Sequence, residues 1–188
     1  MTKQQIKTIV DLLDKAGTLK DVTRTGWVLK GVDEAESVAD HTWRMELMVI
    51  LLTPRSLNRE KLMEMCVIHD LGEINIGDIK WETGKNVLSS PKAKHKDELT
   101  AIANIFNGHK DAKKYIDLLK EFNEQKTLEA KFLKQIDKLE MALQALEYER
   151  RGYPYESLNE FWENAEKYLK GNSLEPIFSY LQGLRKNS

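Results

Sequence analysis

The spacing of apolar residues limits most strongly what this chain can fold into. Apolar side chains return every three or four residues through nearly all of the 188-residue sequence, which is the period of an α-helix. No segment keeps the strict alternation of a half-buried strand, and clusters of β-branched residues are scarce. The sequence therefore predicts an all-α fold, a helical bundle of about seven to eight helices.

Several helix ends are marked by residues that start or stop helices. Gly17 closes the first apolar stripe, and Pro54 stops a second helix that begins near Val38. Asn58 is placed to cap a third helix, and Pro91 suits the first turn of a fourth. The other expected features are helices over residues 112–122 and 128–148, a capping box at residues 157–160 and a last helix beyond residue 173.

Two connections between helices are too long to be simple spacers. Residues 18–37 show little periodicity and contain Arg24 and Trp27, and residues 71–90 form the second connection. Long irregular segments in compact domains are usually functional or disordered. The aromatic and aliphatic residues around Trp27 disfavour disorder, so we expect the first connection to carry function.

Charge and cysteine content exclude several classes of protein. The 29 basic and 30 acidic residues give a net charge of −1, which argues against a chain that binds nucleic acid over its whole surface. A small anionic ligand remains possible because it responds only to the local field. Cys66 is the single cysteine, so neither a disulfide framework nor a multi-thiolate metal site can form within one chain. We expect Cys66 to lie in the core, and any metal to be held by histidine and carboxylate.

The location predicted from the sequence is the cytoplasm. The first residues have no apolar run of signal-peptide length. The most apolar stretch, residues 45–52, carries Glu46 and stops at Pro54, well short of the roughly 20 residues that a membrane helix needs. We therefore expect a soluble protein of a reducing compartment, without a membrane partner.

Residues 68–78 contain the closest grouping of potential metal-binding and catalytic side chains in the sequence. The adjacent His69 and Asp70 can offer an imidazole and a carboxylate to one ion, provided that the helix loosens there, because neighbours in a regular helix point about 100° apart. Glu73 and Asp78 add two carboxylates beside an apolar run, which is costly unless a cation compensates. The segment therefore indicates a cation site, with a helix end bearing solvated acids as the alternative.

One ion needs more ligands than this segment provides. His41 lies at the start of a predicted helix, and Asp137 lies beside Ile136 in the apolar stripe of the longest one. Taken alone, His41 is typical of a polar first-turn residue and Asp137 of a solvated helix acid. Their role stays open on spacing alone.

Three segments together resemble a known family. They are residues 36–41 (Glu-Ser-Val-Ala-Asp-His), 69–79 (His-Asp-Leu-Gly-Glu-Ile-Asn-Ile-Gly-Asp-Ile) and 130–141 (Ala-Lys-Phe-Leu-Lys-Gln-Ile-Asp-Lys-Leu-Glu-Met). On an all-α chain this pattern resembles the HD-domain metal-dependent phosphohydrolases, and among them the 5′-deoxynucleotidase branch. The resemblance implies a single HD domain over residues 1–188, with a metal-binding core at about 36–141 and C-terminal helices over 157–185 packing on it.

The same resemblance implies the activity and the metal ligands. The expected reaction is hydrolysis of deoxyribonucleoside 5′-monophosphates to deoxynucleoside and phosphate, by a homodimer with a small-molecule nucleotide as its substrate. One divalent ion per chain is expected, and two nitrogens with two oxygens suit Mn, Co, Fe, Ni or Zn. The implied metal ligands are His41, His69, Asp70 and Asp137.

Further roles follow from the resemblance for residues around the metal. It implies Glu73 as the catalytic acid/base, and Asp78 as a catalytic group that also binds the sugar. Arg24 and Trp27 correspond to the phosphate and sugar contacts, although some members have the arginine and tryptophan adjacent, and Lys30 could share the role of the arginine. The alternative for Trp27 is a lid over the core.

Two alternative functions remain open. His95 and His109 fall where some HD proteins place ligands for a second metal, as in HD-type phosphodiesterases and nucleotide hydrolases, although both are expected to be exposed. A non-catalytic helical module with a structural ion is the other alternative. Residues 152–154 (Gly-Tyr-Pro) are expected to be a turn. Four aromatic residues after the longest helix are expected to be exposed and able to pack on a second subunit: Tyr153, Tyr155, Phe161 and Trp162.

Overall fold

The computed structural model describes residues 1–78 and 91–186, and the regular secondary structure in these ranges is helical. The helices are α1 (Lys3–Gly17), α2 (Thr25–Val28), α3 (Val38–Leu52), α4 (Arg59–His69), α5 (Glu73–Ile76), α6 (Pro91–Ile105), α7 (Ala112–Glu124), α8 (Leu128–Arg150), α9 (Tyr155–Leu169) and α10 (Glu175–Lys186). The predicted all-α class is confirmed. Within these ranges, none of the helices combines the length and the apolar character needed to cross a bilayer.

Local capping explains why the site-bearing helices start where they do. Ser37 accepts a hydrogen bond from the Asp40 amide, and the Asp40 carboxylate accepts one from the Ser37 amide, which is a capping box. The Asn58 side chain accepts from the Lys61 amide at 3.0 Å and so caps α4. These contacts satisfy amides that have no partner within the helix. The predicted starts near Val38 and after Asn58 are therefore confirmed.

The predicted capping box at residues 157–160 is wrong. Helix α9 begins at Tyr155, with Pro154 at the N-cap position. Gly152 has φ +99° and turns the chain after α8, and Pro154 then brings it directly into a new helix. The Ser157 amide donates to the Pro154 carbonyl at 3.1 Å, so Ser157 already lies inside the first turn.

Two of the four aromatic residues expected on the surface are buried instead. Phe161 is 7% exposed and Trp162 is 3% exposed. They share the apolar face of α9 with Leu158 and Ala165, at helical spacing, and this face packs on α8. The expectation that Phe161 and Trp162 contact a second subunit is therefore wrong.

Helix α8 forms the centre of the bundle. It contacts α3, α4, α7, α9 and α10, so apolar residues such as Leu133, Ile136 and Leu139 are fully buried. Because neighbours cover it on several sides, its polar residues are buried as well. These are Asp137, Glu140, Gln144 and Glu149. Buried polar groups need partners, and each of these four residues has a basic side chain as a partner.

The connection over residues 18–37 is folded back onto the start of α3. An isolated antiparallel bridge joins Thr23 to Ser37, and the Arg24 amide donates to the Glu36 carbonyl at 3.0 Å. Closing the connection in this way places Arg24 beside the helix that carries His41. The second predicted connection is described only to Asp78, and its remainder, including Ile79 of the family pattern, lies outside the described residues.

Candidate metal centre

Three helices bring the four predicted metal ligands together. His41 lies in the first turn of α3, His69 and Asp70 end α4, and Asp137 lies in α8. His69 Nε2 is 3.1 Å from Asp70 Oδ2, and His41 Nε2 is 3.9 Å from the same oxygen. His41 Nε2 is also 3.7 Å from Asp137 Oδ1. Two imidazole nitrogens and two carboxylate oxygens thus converge on one small region.

The end of α4 allows two consecutive residues to face the same point. Asp70 is the C-cap residue, with φ −113° and ψ 3°, and has left the helical conformation. His69 is still helical. This break removes the roughly 100° separation between neighbouring side chains of a regular helix. The carboxylate of Asp70 therefore returns to the imidazole of His69.

Both imidazoles turn Nε2 toward the carboxylates. His69 Nδ1 lies 2.6 Å from the Cys66 carbonyl oxygen, and His41 Nδ1 contacts Glu140 Oε2. In each pair the oxygen can only accept, so Nδ1 carries the hydrogen and Nε2 of the neutral ring keeps a lone pair. With the hydrogen on Nδ1, neither Nε2 can donate to the nearby carboxylate oxygens, and within the described part of the chain both Nε2 atoms are buried without a hydrogen-bond partner. Such atoms are costly unless a ligand satisfies them, and this donor set fits a borderline divalent cation.

Nearby cations keep the two ligand carboxylates ionised. Burial alone would raise the pKa of Asp70, but its contacts with the imidazoles of His69 and His41 and the positive charge of Arg24 hold it well below its ordinary value. The pKa of Asp137 is likewise held well below its ordinary value against burial, chiefly by Lys134 and Lys138. Both carboxylates are therefore available as anionic ligands.

The two oxygens of the Asp137 carboxylate have different neighbours. Lys134 Nζ lies 2.7 Å and Lys138 Nζ 3.3 Å from Oδ2, whereas Oδ1 is the oxygen near His41. Burial and the positive charges of Lys134 and Arg24 lower the pKa of Lys138 to about 8, against the attraction of Asp137. Arg24 and Lys138 are thus close enough to repel each other, and they supply positive charge beside the ligand set.

The structure places Arg24 at the site and Lys30 away from it. Arg24 Nη1 lies 3.7 Å from Asp70 Oδ2, whereas Lys30 pairs with Glu160 at 3.0 Å. Burial acts to lower the pKa of Arg24, but the charges of Asp78 and Asp70 raise it above its ordinary value. Arg24 is therefore the cation of this connection that the fold brings to the predicted metal ligands.

Asp78 is tied to the segment that carries Arg24. Its Oδ2 accepts from the Thr25 amide at 2.7 Å, and Thr25 Oγ1 donates to the Asp78 carbonyl at 2.5 Å. Gly77, with φ +74°, ends α5 and turns the chain toward this contact. That backbone conformation favours glycine. The two long connections therefore meet at the site.

Glu73 begins the short helix that follows Asp70. Its amide donates to the Asp70 carbonyl at 3.0 Å, and the residue is only 4% exposed. A Cβ at the preceding Gly72 would lie 3.3 Å from the Glu98 carbonyl oxygen of α6. Gly72 thus permits a close approach of α5 to α6, and α5 begins with Glu73, three residues after the predicted ligand Asp70.

Trp27 is buried rather than open to a ligand. It is 1% exposed, and its ring centroid lies 5.2 Å from that of Tyr148 and 3.9 Å from that of Phe161. Its Nε1 donates to Glu36 Oε1 at 3.0 Å. The predicted contact with the sugar stays a prediction, and this burial favours the alternative, a lid over the core.

The two remaining histidines do not join the ligand set among the residues that the structure describes. His109 Nδ1 accepts from the Asp111 amide at 3.2 Å, and its ring centroid lies 5.8 Å from that of Tyr115. His95 is half-buried on α6. The described residues therefore give no support to the binuclear alternative.

Sequence reasoning gave no role to four residues that surround the ligands: Arg44, Lys134, Lys138 and Glu140. Arg44 follows His41 by three residues, and Glu140 follows Asp137 by three. Residues three apart lie on one face of a helix, so this spacing was the available signal. The partners of Arg44 and Glu140 lie on other helices, whereas Lys134 and Lys138 pair with Asp137 on α8 itself.

Comparison with known proteins agrees with this geometry. The family model described as HD domain matches residues 16–176. The 5′-deoxynucleotidase HDDC2 of Xenopus laevis is 33% identical over 184 residues, covering 97% of this chain and 90% of that protein. The 5′-deoxynucleotidase hdd1 of Schizosaccharomyces pombe is 37% identical over 159 residues, with 81% and 78% covered.

A solved structure extends the match to three dimensions. A conserved hypothetical protein from Pyrococcus furiosus superimposes with a TM-score of 0.75 at 33% identity, covering 92% of this chain and 98% of that one. The match of the family model over most of the chain confirms the resemblance predicted from the three sequence segments. The chain belongs to the HD domain family.

Proposed function

We propose that this protein is a metal-dependent 5′-deoxynucleotidase, which hydrolyses deoxyribonucleoside 5′-monophosphates to deoxynucleoside and phosphate. The observation that carries the proposal is the pair of buried, unpartnered Nε2 atoms of His41 and His69 beside the carboxylates of Asp70 and Asp137. The names of the relatives, 5′-deoxynucleotidases at 30–37% identity, support the choice of substrate.

The proposed ligands of a single divalent ion are His41, His69, Asp70 and Asp137. Their donor atoms suit Mn, Co, Fe, Ni or Zn. When bound, such an ion polarises a phosphoryl oxygen and lowers the pKa of a bound water. The chain supplies the geometry, since the two Nδ1 contacts and the two lysines on Asp137 Oδ2 aim the remaining donor atoms at one point.

The remaining residues act on the phosphate and the sugar. Arg24 and Lys138 place positive charge beside the ligand carboxylates, where it would offset the charge of a phosphate. Glu73, buried one turn after Asp70, is proposed to deliver a proton to the leaving 5′-oxygen. Asp78 is proposed to accept a hydrogen bond from the 3′-hydroxyl. Trp27 is proposed to stabilise the connection that carries Arg24, since its indole is buried.

The test is phosphate release from a panel of ribo- and deoxyribonucleoside 5′-monophosphates, measured with each of the five metals in turn. We expect turnover of deoxyribonucleoside monophosphates, and loss of turnover in Asp70→Ala and in Glu73→Ala. Metal bound to the Glu73→Ala protein would separate loss of chemistry from loss of the ion. A metal-loaded protein that hydrolyses no monophosphate would refute the proposal, and unchanged turnover in Glu73→Ala would favour a different acid.

We also propose one HD domain over residues 1–188, in which α9 and α10 are part of the domain. Both helices pack on α8, the helix that carries Asp137, which supports their belonging to the same unit. A cytoplasmic location is proposed for the protein, and the buried state of its single thiol, Cys66, is consistent with it. Limited proteolysis that released a stable core without α9 and α10 would contradict the single domain.

A homodimer is the proposed assembly, and the surface proposed for it lies on α3. Four residues on one side of this helix are exposed and apolar: Trp43, Leu47, Ile50 and Leu51. Contiguous apolar surface of this kind marks interaction sites. This face replaces Phe161 and Trp162, which the sequence suggested and which are buried.

Light scattering coupled to size exclusion tests the dimer. We expect a dimeric mass for the wild-type protein and a monomeric mass for Trp43→Glu combined with Leu51→Glu. Tyr180→Glu is the matched control, because Tyr180 on α10 is as exposed as Trp43, each at 68%. A monomeric wild-type protein, or a dimer that survives the double substitution, would contradict the proposed face.

A further inference from the structure

The two histidines of the candidate metal centre are oriented by different means. The Nδ1 of His69 contacts a main-chain carbonyl of its own helix, that of Cys66. The Nδ1 of His41 contacts the carboxylate of Glu140, which lies 99 residues later in the sequence on α8. The orientation of His69 therefore depends on its own helix, whereas that of His41 depends on one distant side chain.

Glu140 is held so that it cannot turn away from His41. The residue is 0% exposed, and its Oε1 accepts from Arg44 Nε at 2.8 Å and from Arg44 Nη2 at 2.6 Å. This leaves Oε2 for His41. An isolated buried carboxylate would be costly, so Arg44 both stabilises the charge and fixes its direction.

Arg44 is itself fixed from the outer side. Its Nη1 lies 3.1 Å from Glu147 Oε2 and its Nη2 lies 3.6 Å from Glu36 Oε2, with a further hydrogen bond to Gln144. Glu36, His41 and Glu140 are spaced closely enough to hold a cation of their own. The guanidinium of Arg44 already contacts both of these glutamates and supplies that positive charge. The cluster is therefore a support for His41.

We propose that Glu140, clamped by Arg44, is a positioning residue that fixes the ring and the tautomer of His41 and thereby sets the metal affinity of the site. The inference rests on the metal centre of the proposed function. A carboxylate that accepts from Nδ1 keeps the hydrogen on that atom and directs the Nε2 lone pair toward Asp70 and Asp137. Loss of such an outer partner typically weakens metal binding by about 10- to 100-fold.

The first variant is Glu140→Gln, which preserves the shape of the side chain. Its amide oxygen can accept from either His41 or Arg44, and its NH₂ group then faces the other donor. We expect the dissociation constant for Mn²⁺, measured by calorimetry on the metal-free protein, to rise roughly 10-fold. Unfolding measured in EDTA reports separately on any change in the fold.

The second variant removes the clamp as a unit. Glu140→Leu combined with Arg44→Met replaces a buried ion pair by apolar side chains, a change that is often neutral for stability. We expect the fold to persist in EDTA while Mn²⁺ binding weakens by up to about 100-fold. Tyr180→Phe, on the exposed side of α10, is the control and should bind Mn²⁺ as the wild type does.

The outcomes separate this inference from the metal centre itself. Wild-type Mn²⁺ affinity in folded Glu140→Gln protein would overturn the positioning role, and so would wild-type affinity in the double variant. Asp70→Ala is measured beside them. If Asp70→Ala also binds Mn²⁺ normally, the metal centre is wrong, whereas loss of binding in Asp70→Ala alone would leave the centre intact and refute only the role of Glu140.

Discussion

Among the acidic residues that helix α8 buries, Asp137 and Glu149 each lie beside basic side chains, but their surroundings differ in kind. Asp137 and Glu149 are twelve residues apart, about 18 Å along the helix axis. Glu149 accepts from Trp162 Nε1 at 3.1 Å and from Arg185 Nε at 3.0 Å. Both its oxygens have protein donors. The Asp137 region instead contains histidine nitrogens that have no protein partner in the described chain.

The difference distinguishes a structural ion pair from the proposed ligand site. At Glu149 the donors belong to α9 and α10, so the cluster fastens these helices to α8. At Asp137 the lysines occupy Oδ2 and leave Oδ1 near His41. Burial and strong charge are common to both clusters. Only the unpartnered nitrogens indicate that one of them receives a ligand.

The largest expected effect is on phosphate release, when the acidic residue of each cluster is replaced by its amide. Asp137→Asn should reduce phosphate release to the level of a blank, because an amide cannot replace an anionic metal ligand. Glu149→Gln should leave the turnover of folded protein unchanged. Both are measured with saturating metal well below the unfolding midpoint. Full turnover in Asp137→Asn would show that Asp137 is no more a metal ligand than Glu149.

The free energy of unfolding should respond in the opposite way to turnover, with the larger effect at the Glu149 cluster. Arg185→Met leaves the Glu149 carboxylate, which is fully buried, without its ionic partner, and should lower the free energy of unfolding by roughly 3 kcal/mol. Denaturant titration gives this quantity. Combining Arg185→Met with Glu149→Gln should recover part of the loss, because the uncompensated charge is gone. A stability equal to wild type in Arg185→Met would show that this cluster is not structural.

The positive charge at the ligand site can be tested on Arg24. Arg24→Gln should lower kcat/KM for a deoxynucleoside monophosphate by about 10- to 100-fold, the range expected when a hydrogen bond to a charged group is lost. Lys30→Gln is the matched control, since Lys30 pairs with Glu160. If Lys30→Gln has the larger effect, the cation that meets the phosphate has been misassigned.

The smallest expected effect concerns the packing behind Glu73. In Gly72→Ala the new Cβ would lie 3.3 Å from the Glu98 carbonyl oxygen and 3.4 Å from Ala101 Cβ. We expect a stability loss of about 1 kcal/mol and a several-fold fall in kcat. Gly17→Ala, where nothing lies within 4 Å of the added atom, should show neither. An unchanged kcat in Gly72→Ala would show that the site tolerates a shift of α5.

Much of the fold follows from local signals, because helix starts depend on residues within one turn. Asn58 and the Ser37–Asp40 pair are examples that the sequence predicts directly. The start of α9 was predicted wrongly because Pro154 competes with Ser157 for the same role. Periodicity also cannot show whether an apolar stripe faces the core, and so Phe161 was expected on the surface.

The site likewise contains some residues that the sequence can indicate and others that only tertiary contacts reveal. The ligands His69 and Asp70 could be proposed from one short segment, and the resemblance to a family added His41 and Asp137. The contact of Glu140 with His41 spans 99 residues, and no spacing within either helix reveals it. The position of Arg24 depends on the bridge between Thr23 and Ser37, which is a tertiary contact that composition does not record.

The contact of Thr25 with Asp78 has a mechanical consequence. It joins two connections that are 53 residues apart in sequence, through both a main-chain amide and a main-chain carbonyl. One connection carries Arg24 and the other follows Glu73. A displacement of one connection would therefore displace the other. Arg24, which is proposed to face the phosphate, and Glu73, which is proposed to deliver the proton, would therefore keep their relative positions through the contact of Thr25 with Asp78.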